Sequence, residues 1–344
     1  MNADFAIEGR TIGGDCPPYV IAEIGVNHDG DQARGLALVR AAQTAGADAV
    51  KFQLFDAELL MSADARFAAY QKSLGAADPR AMLKSLELPT GAMAELCAEA
   101  RRIGLHPIVT VFSTQLVAAA EAMNVAAYKS ASPDVIHRPL LEAMSATGRS
   151  LIVSTGASDL GEIRRAADWL RGRSVAWLQC VSSYPTPDAS ASLRGIASIA
   201  ATTRAVVGYS DHTNAIDTGG LAVAAGAAIL EKHLTYDRRA NGPDHAASLD
   251  ATQFGEYVRL ARRAGSMLGD AKHVLEIERD VRTVSRQSLV AARGLRSGER
   301  VRAADLTVKR PGTGIAPWRH DETIGRTLAR DVRVDQVLCD EDFA

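Results

Sequence analysis

The sequence predicts an α/β protein, a (β/α)8 TIM barrel followed by a small β-rich domain. Three observations carry this. Eight short apolar or alternating runs rich in β-branched residues lie between Tyr19 and Leu234, each followed by a helical pattern, which is the count of a TIM barrel. No G-x-G-x-x-G loop follows the first run, as a doubly wound dinucleotide-binding sheet leads one to expect. The periodicity then stops at Leu268-Gly269-Asp270 and gives way to short valine-containing runs set between glycines and prolines.

The expected strands are Tyr19–Gly25, Ala49–Phe55, Pro107–Ser113 and Ala126–Ser132, then Ser150–Gly156, Val175–Val181, Ala205–Ser210 and Ala227–Leu234. Amphipathic Ala-, Leu- and Arg-rich stretches separate them. Asp31–Ala45 is opened by an Asp-Gly-Asp turn able to cap a helix, Pro89–Ile103 follows the second strand, and Ala251–Leu268 is the last barrel helix. These boundaries give a barrel over residues 1–270, a charged connector over 271–282 and a loop-rich β module over 283–344. Its runs are Ser288–Ala292, Glu299–Val301 and Leu306–Lys309, then Arg310-Pro311-Gly312-Thr313-Gly314. A module of this size is near the lower limit for a domain with its own core.

Composition narrows the function classes. Of 344 residues, 47% are hydrophobic and 23% charged, the proportions of an ordinary globular protein. Lysine plus arginine number 39 against 41 acidic residues, a net charge of −2, so no global field attracts nucleic acid or anionic membrane. An anionic ligand must be held by a local cluster of donors. Aromatic residues make up only 5%, too few to favour a base-stacking groove. The four cysteines, Cys16, Cys97, Cys180 and Cys339, have no C-x-x-C spacing, which argues against thiolate zinc sites, redox pairs and a disulfide framework. Met1-Asn2-Ala3-Asp4-Phe5 lacks the basic start of a signal peptide, and the Gly/Ala-rich run 219–230 is too short to cross a bilayer. The expected location is the cytoplasm.

In a TIM barrel the chemistry sits where strands end. Those positions here are densely polar: Glu23, Asn27 and His28; Lys51 and Gln53; Thr110 and Ser113; Lys129 and Ser132. The later strands add Ser154, Ser182 and Tyr184, then Ser210, Asp211 and His212, then Glu231, Lys232 and His233. A lysine inside an apolar strand needs an anion, because a buried unpaired ammonium is costly. Lys51, Lys129 and Lys232 are read as converging on one anion, with Thr110, Ser132, Ser154 and Ser210 as neutral donors; this donor set suits a phosphate, or a phosphate and a carboxylate. The alternative is that each lysine pairs with a strand-end carboxylate and only fills the barrel mouth. His212 and His233 end successive strands, about 5 Å apart, and at equal height could chelate one divalent ion. Glu23 and Asp244 are candidates to complete that site or to hold water. Asn27-His28-Asp29-Gly30 also reads as a turn and helix cap, and Tyr184-Pro185-Thr186-Pro187 as a stiff loop. His106, His137, His245, His273 and His320 have no comparable partner and are read as structural or surface residues.

With these residues in view, the chain resembles the sialic acid (N-acetylneuraminate) synthase family. The resembling segments are residues 21–30 (IAEIGVNHDG), 46–53 (GADAVKFQ), 154–156 (STG), 182–187 (SSYPTP), 208–213 (GYSDHT), 231–233 (EKH) and 242–245 (GPDH). In the tail, residues 308–314 (VKRPGTG) resemble the antifreeze-like (SAF) domain of the same family. The resemblance implies condensation of phosphoenolpyruvate with an N-acetylated hexosamine such as N-acetylmannosamine, giving a nine-carbon nonulosonic acid and phosphate, with metal activation of the aldehyde and C–O bond cleavage. It implies Lys51, Gln53, Thr110, Lys129, Ser132, Ser154 and Ser210 as phosphoenolpyruvate contacts. His212 and His233 become ligands of a divalent ion, Mn2+ by family preference, with Mg2+ or Co2+ as alternatives. Glu23 becomes the group orienting water and aldehyde. Tyr184, Glu231 and Asp244 become sugar contacts, Asp244 with a catalytic role. Arg310 is implied to reach the N-acetyl group from a SAF domain swapped across a homodimer.

The sugar half departs from the family pattern. Ser130-Ala131-Ser132-Pro133-Asp134 stands where several bacterial sialate synthases have Gly-Ser-Gly-Glu, and Ser182 stands where some members have asparagine. Asp134 and Ser182 are therefore expected sugar contacts of altered shape. Products such as legionaminic acid, pseudaminic acid or spore-coat polysaccharide precursors stay open. Two rivals come from other classes: a Schiff-base aldolase using Lys129 without phosphoenolpyruvate, and an inert barrel carrying a sugar- or ice-binding tail.

Overall fold

A computed structural model describes residues 5–66 and 78–344; residues 1–4, part of the N-terminal stretch read above for a signal peptide, lie outside the described residues. An antiparallel hairpin, β1 (Phe5–Ile7) and β2 (Arg10–Ile12), precedes the barrel. The barrel strands are β3 (Tyr19–Glu23), β4 (Ala49–Leu54), β5 (His106–Val111), β6 (Ala127–Ser130), β7 (Ser150–Ser154), β8 (Val175–Cys180), β9 (Val207–Asp211) and β10 (Ile229–His233). They close in the order β10-β3-β4-β5-β6-β7-β8-β9, and each pair is parallel. All eight expected strands are present.

The helices between them are α1 (Gln32–Thr44), α2 (Ala57–Leu60), α3 (Pro79–Leu86), α4 (Thr90–Arg102), α5 (Val117–Ala122), α6 (Arg138–Ala146), α7 (Leu160–Trp169), α8 (Gly195–Thr203), α9 (Thr218–Ala224) and α10 (Ala251–Met267). The Asp31 side chain accepts from the Arg34 amide at the start of α1, which is the cap its sequence announces. Asp250 and Gln253 form a capping box on α10. No described helix is long and apolar enough to cross a membrane.

Two apolar layers position the site. Outward-facing strand residues such as Val20, Val50, Val109, Tyr128, Tyr209 and Leu230 pack against the helices in the larger cluster. Inward-facing residues near the strand starts, including Tyr19, Ile21, Ala49, Ile108, Ile152, Leu178 and Ile229, form a second cluster with Phe5, Ile7 and Ile12 of the hairpin. The hairpin therefore plugs the N-terminal end of the barrel, a part the sequence reading did not foresee. With that end filled by hydrocarbon, the interior can be polar only at the strand ends.

The chain divides into Met1–Gly269 and Asp270–Ala344. The second unit has its own core, built from Leu289, Ala291, Leu295, Val301, Ile315, Leu328, Val332, Leu338 and Phe343. The expected connector holds most of a short helix, α11 (Arg279–Ser285), and the hairpin β11 (Ser288–Ala291) with β12 (Leu306–Lys309) matches two expected runs. The third run, Glu299–Val301, forms only an isolated antiparallel bridge, Arg300 with Thr327.

Candidate active site

Strand register builds the site. Gln53 lies beside Thr110 and Thr110 beside Lys129. Cys180 lies beside Ser210 and Ser210 beside Glu231, while His233 lies beside Glu23 and Glu23 beside Lys51. Inward-facing residues on adjacent strands stand about 5 Å apart, so chemistry scattered over 200 residues becomes one layer. Gly25 has a reason to lack a side chain: a Cβ there would stand 2.4 Å from Gln53 Cγ and 2.5 Å from Glu23 Oε1. A Cβ at Gly156 would stand 2.3 Å from Ser182 Oγ and 2.9 Å from Ser132 Oγ.

The layer opens into a cavity of about 410 Å3 at the C-terminal end of the strands, a size that suits small-molecule substrates. Lys51, Gln53, Thr110, Lys129, Ser132, Ser154 and Ser210 all line it, and so do Ser182, Tyr184, His212, Glu231, His233 and Asp244. The Lys51 ammonium donates to Thr110 Oγ1 (2.9 Å) and pairs with Glu23. Lys129 donates to Ser154 Oγ (2.5 Å) and the Ser130 carbonyl (2.8 Å), and its Nζ lies 3.8 Å from Glu231 Oε1 across the barrel. Ser210 donates to the same Glu231 oxygen (2.8 Å). Both lysines are thus partly neutralised by carboxylates, so the pairing alternative and the anion-site reading describe the same residues.

Electrostatics follow from this depth. Burial works against the Lys51 ammonium, but Glu23 and Glu231 outweigh it and hold its pKa above the ordinary value. At Lys129 burial prevails over Glu231 and lowers the pKa. Burial raises Asp244 to about 7, with Glu23 adding to the effect.

The two histidines stand with ring centroids 5.3 Å apart, and Tyr184 packs on His212 at 4.0 Å. His212 Nδ1 is held by the Val181 carbonyl (2.9 Å), with Cys180 Sγ at 3.7 Å, which directs Nε2 away from that backbone. His233 Nδ1 is buried without a hydrogen-bond partner, 3.5 Å from Asp244 Oδ2. Burial, then the neighbouring His212, pushes the His233 pKa well below its usual value, so the imidazole is neutral and its lone pair is available. These features fit a divalent ion held by two imidazoles. Among the described residues no group of three or more His, Cys, Asp or Glu is placed to hold a metal, so an ion here would have two imidazoles as its protein ligands, with positions left for water or substrate.

Three expectations need correction. Lys232 does not join the lysine pair. Glu231 and His233 face inward, so Lys232 between them faces outward, where it lies 3.1 Å from Asp211 Oδ2 and donates to the Thr213 carbonyl. Asp134 does not line the cavity. It lies in a 3-10 turn over Ser132–Ile136 whose tight winding turns it off the wall formed by Ala131, Ser132 and Pro133, and burial raises its carboxyl to about 6. Glu23 is not among the lining residues either. It sits behind them, accepting from Gln53 Nε2 (3.0 Å) and paired with Lys51, and the missing side chain of Gly25 leaves room for Gln53 to lie against it. Arg310 lies exposed in the second unit, just after β12.

Lys232 supplies a contrast with the cavity lysines. Lys232→Met should cost roughly 3 kcal/mol, since Asp211 keeps its buried charge without a cation. Anion binding should stay within about threefold of the parent, as expected for separate sites. A calorimetric melt with an anion titration checks both; a binding loss equal to that of Lys129→Met would return Lys232 to the site.

Sequence reasoning missed the apolar side of the cavity, namely Val26, Leu60, Met82, Leu83, Phe112 and Pro243. It also missed that Cys180 Sγ stands 3.7 Å from His212 Nδ1, behind the cavity wall. The signal was the long stretch between β4 and α4, where α2 and α3 are inserted. Other polar motifs turn out to be architectural. His245 bridges Thr235 Oγ1 (2.7 Å) and Asp29 Oδ1 (2.9 Å), tying the loop that carries Asp244 to the one after β3, and Asn27 donates to the Leu234 carbonyl (3.0 Å) and Ser248 Oγ (2.8 Å).

The chain also matches known proteins over most of its length. The NeuB family model matches residues 38–273 and the SAF domain model residues 286–344. The chain is 35% identical to the N,N'-diacetyllegionaminic acid synthase of Legionella pneumophila, covering 98% of each chain. It is 33% identical to the enzyme of the same name from Campylobacter jejuni, over 93% of this chain and 98% of that one. Among solved structures, the N-acetylneuraminic acid synthetase of Leptospira borgpetersenii superimposes with a TM-score of 0.73 at 28% identity, covering 82% of this chain and 95% of the other.

Proposed function

The chain belongs to the NeuB family, whose members are enzymes condensing phosphoenolpyruvate with a sugar, and from that premise we propose that it joins phosphoenolpyruvate to a 2-acetamido hexose, releasing phosphate and a nine-carbon nonulosonic acid. One observation carries the reading: a layer of two buried lysines and four hydroxyls sits in the same cavity as a pair of imidazoles. The lysine layer suits the two anionic groups of phosphoenolpyruvate, and the imidazole pair suits a divalent ion.

In this reading Lys51 and Lys129 exchange part of their pairing with Glu23 and Glu231 for the incoming phosphate and carboxylate, and Thr110, Ser132, Ser154 and Ser210 orient the same groups. Glu23 is a positioning residue that aligns Lys51 and Gln53. His212 and His233 would hold a divalent ion, Mn2+ by family preference, which would supply Lewis-acid polarisation of the sugar aldehyde. C3 of phosphoenolpyruvate forms a bond to the aldehyde carbon, and C2 takes on positive character. Water adds at C2, and the C2–O bond breaks to release phosphate. Held in register by the lysines, C3 meets the aldehyde carbon with the advantage of proximity and preorganised charge. Asp244 and Tyr184, at the cavity mouth beside the histidines, hold the sugar hydroxyls.

The test is phosphate release and mass detection of a sugar acid from phosphoenolpyruvate and a panel of 2-acetamido hexoses, in EDTA-stripped protein with and without Mn2+. Metal-dependent product is expected. Borohydride trapping of pyruvate, abolished in Lys129→Ala, would instead establish the Schiff-base rival. A homodimer with Arg310 as a contact to the N-acetyl group belongs to the same proposal. Arg310→Ala should raise KM for the sugar at least about tenfold, as expected for a lost charge-assisted contact, and leave KM for phosphoenolpyruvate nearly unchanged. Equal changes in both would remove Arg310 from the sugar site.

A further inference from the structure

The register between β9 and β10 runs from Gly208–Ile229 to Asp211–Lys232, so its last pair lies immediately before the two imidazoles. Beyond that pair the backbones bond elsewhere: the His212 carbonyl accepts from the Thr186 amide (2.8 Å) and the His233 carbonyl from the Leu249 amide (2.9 Å). The spacing of His212 and His233 therefore needs another tie, and the outward face of the strands carries one. Alternation sends Asp211 and Lys232 outward, where the neighbouring outward residues Tyr209 and Leu230 belong to the apolar cluster. Lys232 Nζ lies 3.1 Å from Asp211 Oδ2, donates to the Thr213 carbonyl and stands 3.4 Å from Thr213 Oγ1. Asp211 Oδ1 in turn accepts from the Thr213 amide (2.9 Å), and the ammonium lies 5.5 Å from the centre of the Tyr257 ring. Lys232, Asp211 and Thr213 are all fully buried, and none of them lines the cavity.

We propose that Lys232 is a positioning residue for the pair of imidazoles. It stands between Glu231 and His233 on β10 and grips the residues on either side of His212, so one ammonium ties the backbone at His233 to the backbone at His212. A buried ion pair is seldom more stabilising than well-packed hydrocarbon of the same volume. What it adds is direction: a satisfied polar network admits one arrangement of residues 211–213, whereas packed methylenes admit several. Two rings already held at one separation bind an ion without first being ordered. The inference rests on the two-imidazole ion site of the proposed function. Because the clamp lies behind the strands, it acts on the ion and not on the anion layer.

The experiment uses Lys232→Met combined with Asp211→Asn, which removes both charges together and leaves no buried ion unpaired. Mn2+ binding is read by paramagnetic resonance without substrates, phosphoenolpyruvate binding by calorimetry in EDTA, and folding by a thermal melt. The melting temperature should stay within about 5 °C of the parent, since replacing both partners of a buried pair is often neutral. The Kd for Mn2+ should rise at least about tenfold, as for other groups that orient metal ligands. The Kd for phosphoenolpyruvate should stay within about threefold. A merely structural role would move the melt and both ligands together. Mn2+ affinity within about twofold of the parent, or equal losses for Mn2+ and phosphoenolpyruvate, overturns the clamp and leaves the ion site standing. No Mn2+ binding by the parent protein overturns the ion site and the clamp together. If the double variant does not fold, Asp211→Asn alone decides, because its Oδ1 can keep the Thr213 amide while the ion pair is lost. A Kd for Mn2+ raised at least about threefold then supports the clamp, and an unchanged Kd overturns it.

Discussion

Lys51→Met is expected to lose about 10²–10³ in kcat/KM for phosphoenolpyruvate and to melt on the order of 10 °C lower. The two losses have different causes. Activity falls because a buried charge-assisted contact to the anion is gone, worth roughly 3–4 kcal/mol. Stability falls because Glu23, fully buried, loses the ammonium that pairs with it, a loss of roughly 3–5 kcal/mol for a charge left alone. The double variant Lys51→Met with Glu23→Gln separates them. Neutralising the carboxyl should restore most of the melting temperature and none of the turnover. Recovery of both together would mean that Lys51 serves only to satisfy Glu23.

His233→Ala should weaken Mn2+ binding at least about 100-fold, more than outer-sphere changes usually do. Phosphoenolpyruvate-dependent turnover should fall with it, while the fold is kept. The readout is Mn2+ paramagnetic resonance of the protein without substrates, so the result does not depend on knowing the sugar. His233 Nδ1 has no hydrogen bond to lose, and the ring sits in a cavity, so the substitution leaves no buried polar group stranded. Unchanged Mn2+ binding would dissolve the two-imidazole site and leave the lysine layer as the defined part of the centre.

Most of this centre was readable along the chain because a TIM barrel converts sequence order into a ring. Once eight strands are recognised, a polar residue at each C-terminal end has one place to go. Thirteen of the expected residues line one cavity for that reason, from Lys51 on β4 to Asp244 after β10. Lys232 shows where the reading slipped, and strand parity was enough to correct it: if His233 and Glu231 face inward, the residue between them cannot. Asp134 and Glu23 were different. Nothing in their spacing shows that a 3-10 turn rotates one carboxylate off the wall, or that a missing Cβ at Gly25 lets Gln53 cover the other.

The sequence by itself determined the barrel, its eight strands, the β-rich tail and the identity of the lysine, hydroxyl and histidine groups at the strand ends. These depend on period-two and period-3.6 patterns and on chain order, which are local properties. Only the tertiary structure decided that the Phe5–Ile12 hairpin plugs one end, that Lys129 reaches across the interior to Glu231, and that α2, α3 and Phe112 give the mouth an apolar side. Those are contacts between residues far apart in the chain, or between short helices with no period long enough to read. They follow from closure of the sheet and the packing of what remains, which no local pattern encodes.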